Sequence, residues 1–134
     1  MSDATHDDRH WTPVVLPDLP PPAGAYSPGV RTANLMFVSG QVPRDPATRE
    51  LVGTTIEEQT RATLANLERV LRTGGATLRD VVSVTVYLAD ENDWGAFDTV
   101  YRTVFSPPYP TRAVVGASLR GILVEISAIA ALPG

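Results

Sequence analysis

The chain has 134 residues, 43% of them hydrophobic and 19% charged, with no cysteine. Such a chain folds as one domain with a core of useful size, and it can form no disulfide scaffold, thiolate nucleophile or cysteine-ligated metal site. The formal net charge is −4, and all eleven cations are arginines with no two adjacent, so no clustered basic surface invites nucleic acid. Met1–Trp11 is polar and lacks the apolar core of a signal peptide, and no run reaches the roughly 18 apolar residues of a membrane span. These features predict a cytoplasmic protein.

Residues 1–15 read as a flexible tail and 16–134 as a single domain. Leu16–Gly24 holds four prolines, which remove backbone donors and favour extended loop, so regular structure is expected from near Tyr26. Leu35–Ser39 is an apolar run of strand length closed by Gly40. Pro43–Pro46 reads as a turn into a short return strand at Glu50–Val52. Thr55 and Glu58 have capping-box spacing, and Ile56, Leu64, Leu67, Val70 and Leu71 share one helical face that ends at Gly74-Gly75.

Val81–Leu88 is the clearest strand, rich in β-branched residues. A second helix starts with Asp90 or Asn92 as cap, carries the stripe Trp94, Phe97, Tyr101, Val104 and Phe105, and ends at Pro107-Pro108. Thr111–Ser118 and Ile122–Ala130 are predicted strands. The short link Leu119–Gly121 predicts that they form an antiparallel hairpin.

The order β-β-β-α-β-α-β-β is that of an α+β fold with both helices on one face of the sheet. Val82, Val84, Val86 and Leu88 alternate with Val81, Ser83, Thr85 and Tyr87, and neither set carries a charge. A sheet covered on one face only should be polar on the other. A second subunit is the simplest cover, which predicts a homo-oligomer.

His6 and His10 flank Asp7 and Asp8 at ligand-like spacing, but they lie in the expected tail, and no metal site is predicted there. Ser39-Gly40 lacks a nucleophile elbow, the folded region has no histidine base, and no phosphate or dinucleotide loop is present. Arg112 and Glu125 remain. In the expected hairpin Arg112 faces residue 127 or 128 with Glu125 diagonal to it, so the two could share a surface. There a guanidinium can grip a carboxylate and a carboxylate can orient a water. A solvent-facing ion pair fits the same spacing, just as Tyr26 fits a loop residue packed on the sheet and Asn92 a helix cap.

Six blocks then add a different kind of information: Pro22–Val30, Phe37–Pro43, Glu58–Leu67, Asp80–Leu88, Pro110–Arg112 and Val124–Ala130. In order and spacing they resemble the RidA/YjgF group, also called the L-PSP endoribonuclease group, from about residue 20 to residue 131. The resemblance implies a chorismate-mutase-like fold, with a six-stranded, mainly antiparallel sheet, two helices on one face, and a homotrimer with clefts between subunits. It implies hydrolytic deamination of 2-imino or enamino acids to 2-oxo acids and ammonia, without metal or cofactor. Arg112 would hold the substrate carboxylate and Glu125 the attacking water, with Tyr26, Ser39, Gly40, Asn92 and Val114 lining the pocket.

Departures bear on selectivity. Arg112-Ala-Val114 stands where the group's deaminases read Arg-x-Cys, Ser127 replaces a second glutamate, and Ala25 and Pro28 replace a proline and a glutamine around Tyr26. A carboxylate-binding regulatory trimer is the alternative role. A ribonuclease or translation inhibitor fits the acidic composition less well.

Overall fold

The computed structural model describes residues 8–133. Six strands form one sheet: β1 (Thr12–Val14), β2 (Gly29–Thr32), β3 (Leu35–Gln41), β4 (Val81–Leu88), β5 (Thr111–Gly116) and β6 (Val124–Ala131). The helices are α1 (Ile56–Thr73) and α2 (Trp94–Val104). The strand order is β1-β2-β3-β6-β4-β5, with β4 and β5 parallel and every other pair antiparallel. This is the expected α+β architecture, with its core between one sheet face and the two helices. Met36, Leu64, Leu67, Leu88, Phe97 and Ile126 are the largest side chains sealed there.

Helix α1 forms where its pattern places it. The Thr55 side chain accepts from the Glu58 amide and the Glu58 carboxylate accepts from the Thr55 amide, so two otherwise orphaned donors are satisfied reciprocally. Polar side chains on this helix then anchor loops. Gln59 accepts from the Leu123 amide at 2.8 Å and donates to the Gly53 carbonyl at 3.2 Å. Asn66 donates to the Val42 and Arg44 carbonyls at 2.9 and 2.8 Å. Asp90 caps the turn Glu91–Asp93 that leads into α2, accepting from the Asn92 amide.

Three expectations need correction. Regular structure starts at Thr12, inside the segment read as tail, because Thr12–Val14 pairs with Gly29–Arg31. Residues 1–7 of that tail, with His6 and Asp7, lie outside the described residues. The return strand at Glu50–Val52 is reduced to a single bridge between Arg44 and Leu51, and β2 is the strand beside β3.

The third correction matters most for function: β5 and β6 do not form a hairpin. β4 lies between them, and β5 returns parallel to it after α2. The burial patterns give the reason. Strand β6 alternates fully and partly buried residues along its whole length and fits the middle of a sheet, whereas β5 stays partly exposed throughout and fits an edge. A helix between β4 and β5 supplies the crossover that parallel pairing requires.

The sheet face away from the helices is largely apolar. A register shift between Val81 and Ser83 buries Val81 and turns Val82 outward, so Val82 leaves the helix-side row in which alternation had placed it. Phe37, Val82 and Val115 are each more than 40% exposed, beside the partly exposed Ser83, Thr85, Tyr87 and Ile129. Among the described residues no helix is long and apolar enough to cross a membrane.

Candidate functional site

Arg112 lies near the start of β5, paired with Val84, which is buried under the helices. Directly paired residues project to the same side of a sheet, so the Arg112 side chain points toward α2. Its Nη1 donates to Asp98 Oδ1 at 2.7 Å, with side-chain exposures of 20% for the arginine and 10% for the aspartate. Asp98 Oδ2 accepts from Arg102 Nε at 2.9 Å. Three aromatic rings of α2 surround the guanidinium: Tyr101 at 4.6 Å, Trp94 at 5.4 Å and Phe97 at 5.7 Å. A cation over aromatic faces is stabilised by the ring quadrupole, and more so when water is partly excluded.

The electrostatics follow from this packing. The hydrogen bond from Arg112, opposed by burial, holds the Asp98 carboxyl below the usual carboxylate range, so Asp98 is an anion at neutral pH. Burial pushes the Tyr101 phenol up to about 12, so that ring remains neutral. Trp94 also walls a depression of about 430 Å³, lined besides by Leu88, Glu91, Val114, Val115 and Gly116. Asn92 lies in the turn between Glu91 and Trp94, two residues that line this depression. Arg112 and Val114 therefore share the helix side of β5, and Asn92 lies in the turn that leads to Trp94.

Glu125 lies elsewhere. It pairs with Tyr87 on the sheet face away from the helices. Its carboxylate crosses the backbone of Gly40 so closely that a Cβ there would stand 2.3 Å from Glu125 Oε2. Ser39 and Gly40 lie in the register shift between Val38 and Gln41, where β3 bulges against β6. Ser39 Oγ donates to the Ser27 carbonyl at 2.6 Å, and its amide donates to the Pro28 carbonyl at 3.0 Å. That ties the Tyr26 loop to β3. Tyr26 is 54% exposed and shares with Gly40 the wall of a cleft of about 670 Å³.

The residues singled out in the sequence thus fall into two groups, with Arg112 and Glu125 on opposite faces of one sheet. Tyr26, Ser39, Gly40 and Glu125 form one; Arg112, Asn92 and Val114 form the other. Arg112 and Glu125 are not diagonal neighbours on a common surface, because β4 separates their strands and their side chains point to opposite sides. The sequence reading named Trp94, Phe97 and Tyr101 as a packing stripe but assigned no role to Asp98. The signal was present: Trp94, Phe97, Asp98 and Tyr101 sit at i, i+3, i+4 and i+7, so a carboxylate falls inside an apolar stripe and must find a cation.

Known proteins give this arrangement a context. The family model described as Endoribonuclease L-PSP matches residues 17–132. A RutC family protein of Pyrococcus horikoshii is 42% identical over 119 residues, covering 87% of this chain and 94% of the relative. A mouse protein named 2-iminobutanoate/2-iminopropanoate deaminase is 40% identical over 113 residues, covering 83% of this chain and 84% of the relative. Among solved structures, RidA of an Antarctic Psychrobacter superposes with a TM-score of 0.84 at 32% identity, covering 90% of this chain and 99% of that one. With one model spanning nearly all of the described fold and relatives of matching length at about two residues in five, the chain belongs to the Endoribonuclease L-PSP family, the RidA group.

Proposed function

We propose that the protein is an imine/enamine deaminase that converts 2-imino acids, and the enamines in equilibrium with them, to 2-oxo acids and ammonia. The observation that carries this reading is the placement of Arg112 and Glu125 on opposite sheet faces. Arg112 cannot meet Glu125 in one chain, but the apolar open face bearing Glu125 is suited to receive a neighbouring subunit that brings its own Arg112. A homotrimer closes such head-to-tail contacts into three sites. The deaminase names of the mammalian relatives at about 40% identity support the chemistry.

The residues suit the reaction. Arg112, held in its aromatic cage with a hydrogen bond on Nη1, offers its remaining donors to the substrate carboxylate. This fixes the iminium carbon, already electrophilic, without metal or covalent nucleophile. Glu125, confined by the Gly40 backbone, accepts a proton from a water as its oxygen bonds to that carbon. The carbinolamine nitrogen takes up that proton, the C–N bond breaks with its electron pair leaving on nitrogen, and as the C=O bond forms the hydroxyl proton passes through Glu125 to the departing ammonia, so 2-oxo acid and ammonium remain. Tyr26, Ser39, Gly40, Asn92 and Val114 would form the walls.

The test uses 2-imino acids generated freshly by an amino-acid oxidase, with semicarbazide trapping the unreacted imine. Wild type should accelerate imine loss, Arg112→Ala should not, and Glu125→Gln should bind carboxylate without turnover. Acceleration by no imine, with the oligomer intact, would sink the deaminase. Carboxylate binding retained in that case would leave a regulatory role in its place.

A further inference from the structure

Arg112 reaches the site only after being held by α2, and one residue of that helix does more than pack against it. Asp98 is a carboxylate with 10% side-chain exposure inside an otherwise apolar stripe, and its Oδ1 takes the Nη1 proton donor of Arg112 at 2.7 Å. Its Oδ2 is occupied separately by Arg102, whose side chain is 65% exposed. The two oxygens therefore have different tasks, one toward solvent and one toward the anion grip. The rings of Trp94, Phe97 and Tyr101 constrain the guanidinium by contact, which leaves it free to rotate in its plane. A hydrogen bond at Nη1 removes that freedom.

We infer that Asp98 is a positioning residue: it fixes the in-plane orientation of Arg112 so that the Nε/Nη2 edge is presented to the substrate carboxylate. This inference rests on the reading of Arg112 as the carboxylate grip. Arg112, Arg102 and Asp98 together carry one net positive charge. The role belongs to the acceptor oxygen rather than to the charge. An asparagine at 98 keeps an acceptor of the same shape while removing the anion that competes with the substrate. An alanine removes both, and the guanidinium is left to find its own orientation.

Carboxylate binding and kinetics together test this. Calorimetric titration with 2-oxobutanoate would compare wild type, Asp98→Asn, Asp98→Ala and Arg112→Ala, alongside KM and kcat for imine hydrolysis. Asp98→Ala should weaken 2-oxobutanoate binding and raise KM about tenfold or more, the scale of one charge-assisted hydrogen bond. Asp98→Asn should bind as tightly as wild type or more tightly. A merely structural role would move the unfolding temperatures of both variants but not divide their affinities in this way.

If Arg112→Ala loses binding while Asp98→Ala keeps it, the positioning role is overturned and Arg112 stands. If Asp98→Asn weakens binding as much as Asp98→Ala, the charge is what matters and the inference fails. If Arg112→Ala binds as well as wild type, the reading of Arg112 falls and this one with it. Should Asp98→Ala fail to fold, unchanged affinity in Asp98→Asn against a loss in Asp98→Leu, which fills the space without an acceptor, carries the same comparison.

Discussion

At the scale of single residues, close approach decides what each side chain can do. Gly40 shows this most directly, because a methyl group there would meet the Glu125 carboxylate at 2.3 Å. The obstructed atom is the far end of a flexible side chain, so Gly40→Ala should cost little stability. It should instead displace the carboxylate and lower kcat by about tenfold or more with a smaller change in KM, the pattern of a lost water-orienting contact. An unchanged kcat would separate Glu125 from the chemistry. Arg112→Lys should resemble Arg112→Ala in KM, since an ammonium cannot keep a planar fork stacked on Tyr101 while bridging Asp98 and a substrate.

The Arg112–Asp98 pair also carries a pH dependence with a definite sign. The Asp98 carboxyl lies below its ordinary value in the folded chain, chiefly through the hydrogen bond from Arg112. Its contribution to stability is therefore full above the unfolded carboxylate value, about 4, and is lost as pH falls through the depressed folded value. The unfolding temperature of wild type should drop more steeply below about pH 4 than that of Asp98→Asn. Parallel curves would show that the pair adds nothing to acid stability. Asp98 is legible in the sequence only as a carboxylate inside the i, i+3, i+4, i+7 stripe; that its cation is Arg112 depends on the parallel return of β5 beside β4.

At the scale of elements, local signals were reliable and long-range pairing was not. The capping box at Thr55 and Glu58 and the stop at Gly74 depend on contacts within a few residues, and α1 follows them. Thr55→Ala should remove about 1 kcal/mol of stability while leaving turnover intact, measured by denaturant unfolding. The β5–β6 hairpin was predicted from a short connection. A short connection shows only that two strands can pair; it does not show which strand competes for the place between them. Val124–Ala131 lies between β3 and β4 with every second residue buried, whereas Thr111–Gly116, with no buried residue, lies at the edge. With β4 interposed, Arg112 and Glu125 come to lie on opposite faces, so one topological correction reorganises the site.

At the scale of the whole molecule, the two half-sites and the apolar open face make the same demand. Phe37, Val82 and Val115 are exposed on the side of the sheet that carries Glu125, the side on which we propose that a neighbouring subunit sits. The uncharged alternation of Val81–Leu88 gives the same expectation from the sequence. Which half-site each residue occupies was not legible there, because it depends on strand order. Charge on this face should therefore break both assembly and activity. Val82→Asp should yield smaller particles in sedimentation and lose turnover with Arg112 and Glu125 both intact, and full activity from a dissociated chain would contradict a shared site.

Subunit complementation tests the central claim most directly. Arg112→Ala and Glu125→Gln would each be purified, unfolded, mixed in equal amounts and refolded, and imine hydrolysis measured against wild type refolded in the same way. If each site takes Arg112 from one subunit and Glu125 from the next, random mixing restores about a quarter of the sites, although each variant alone is inactive. If the mixture is as inactive as its components, while mixed oligomers demonstrably form, the site does not lie between subunits and the account is wrong.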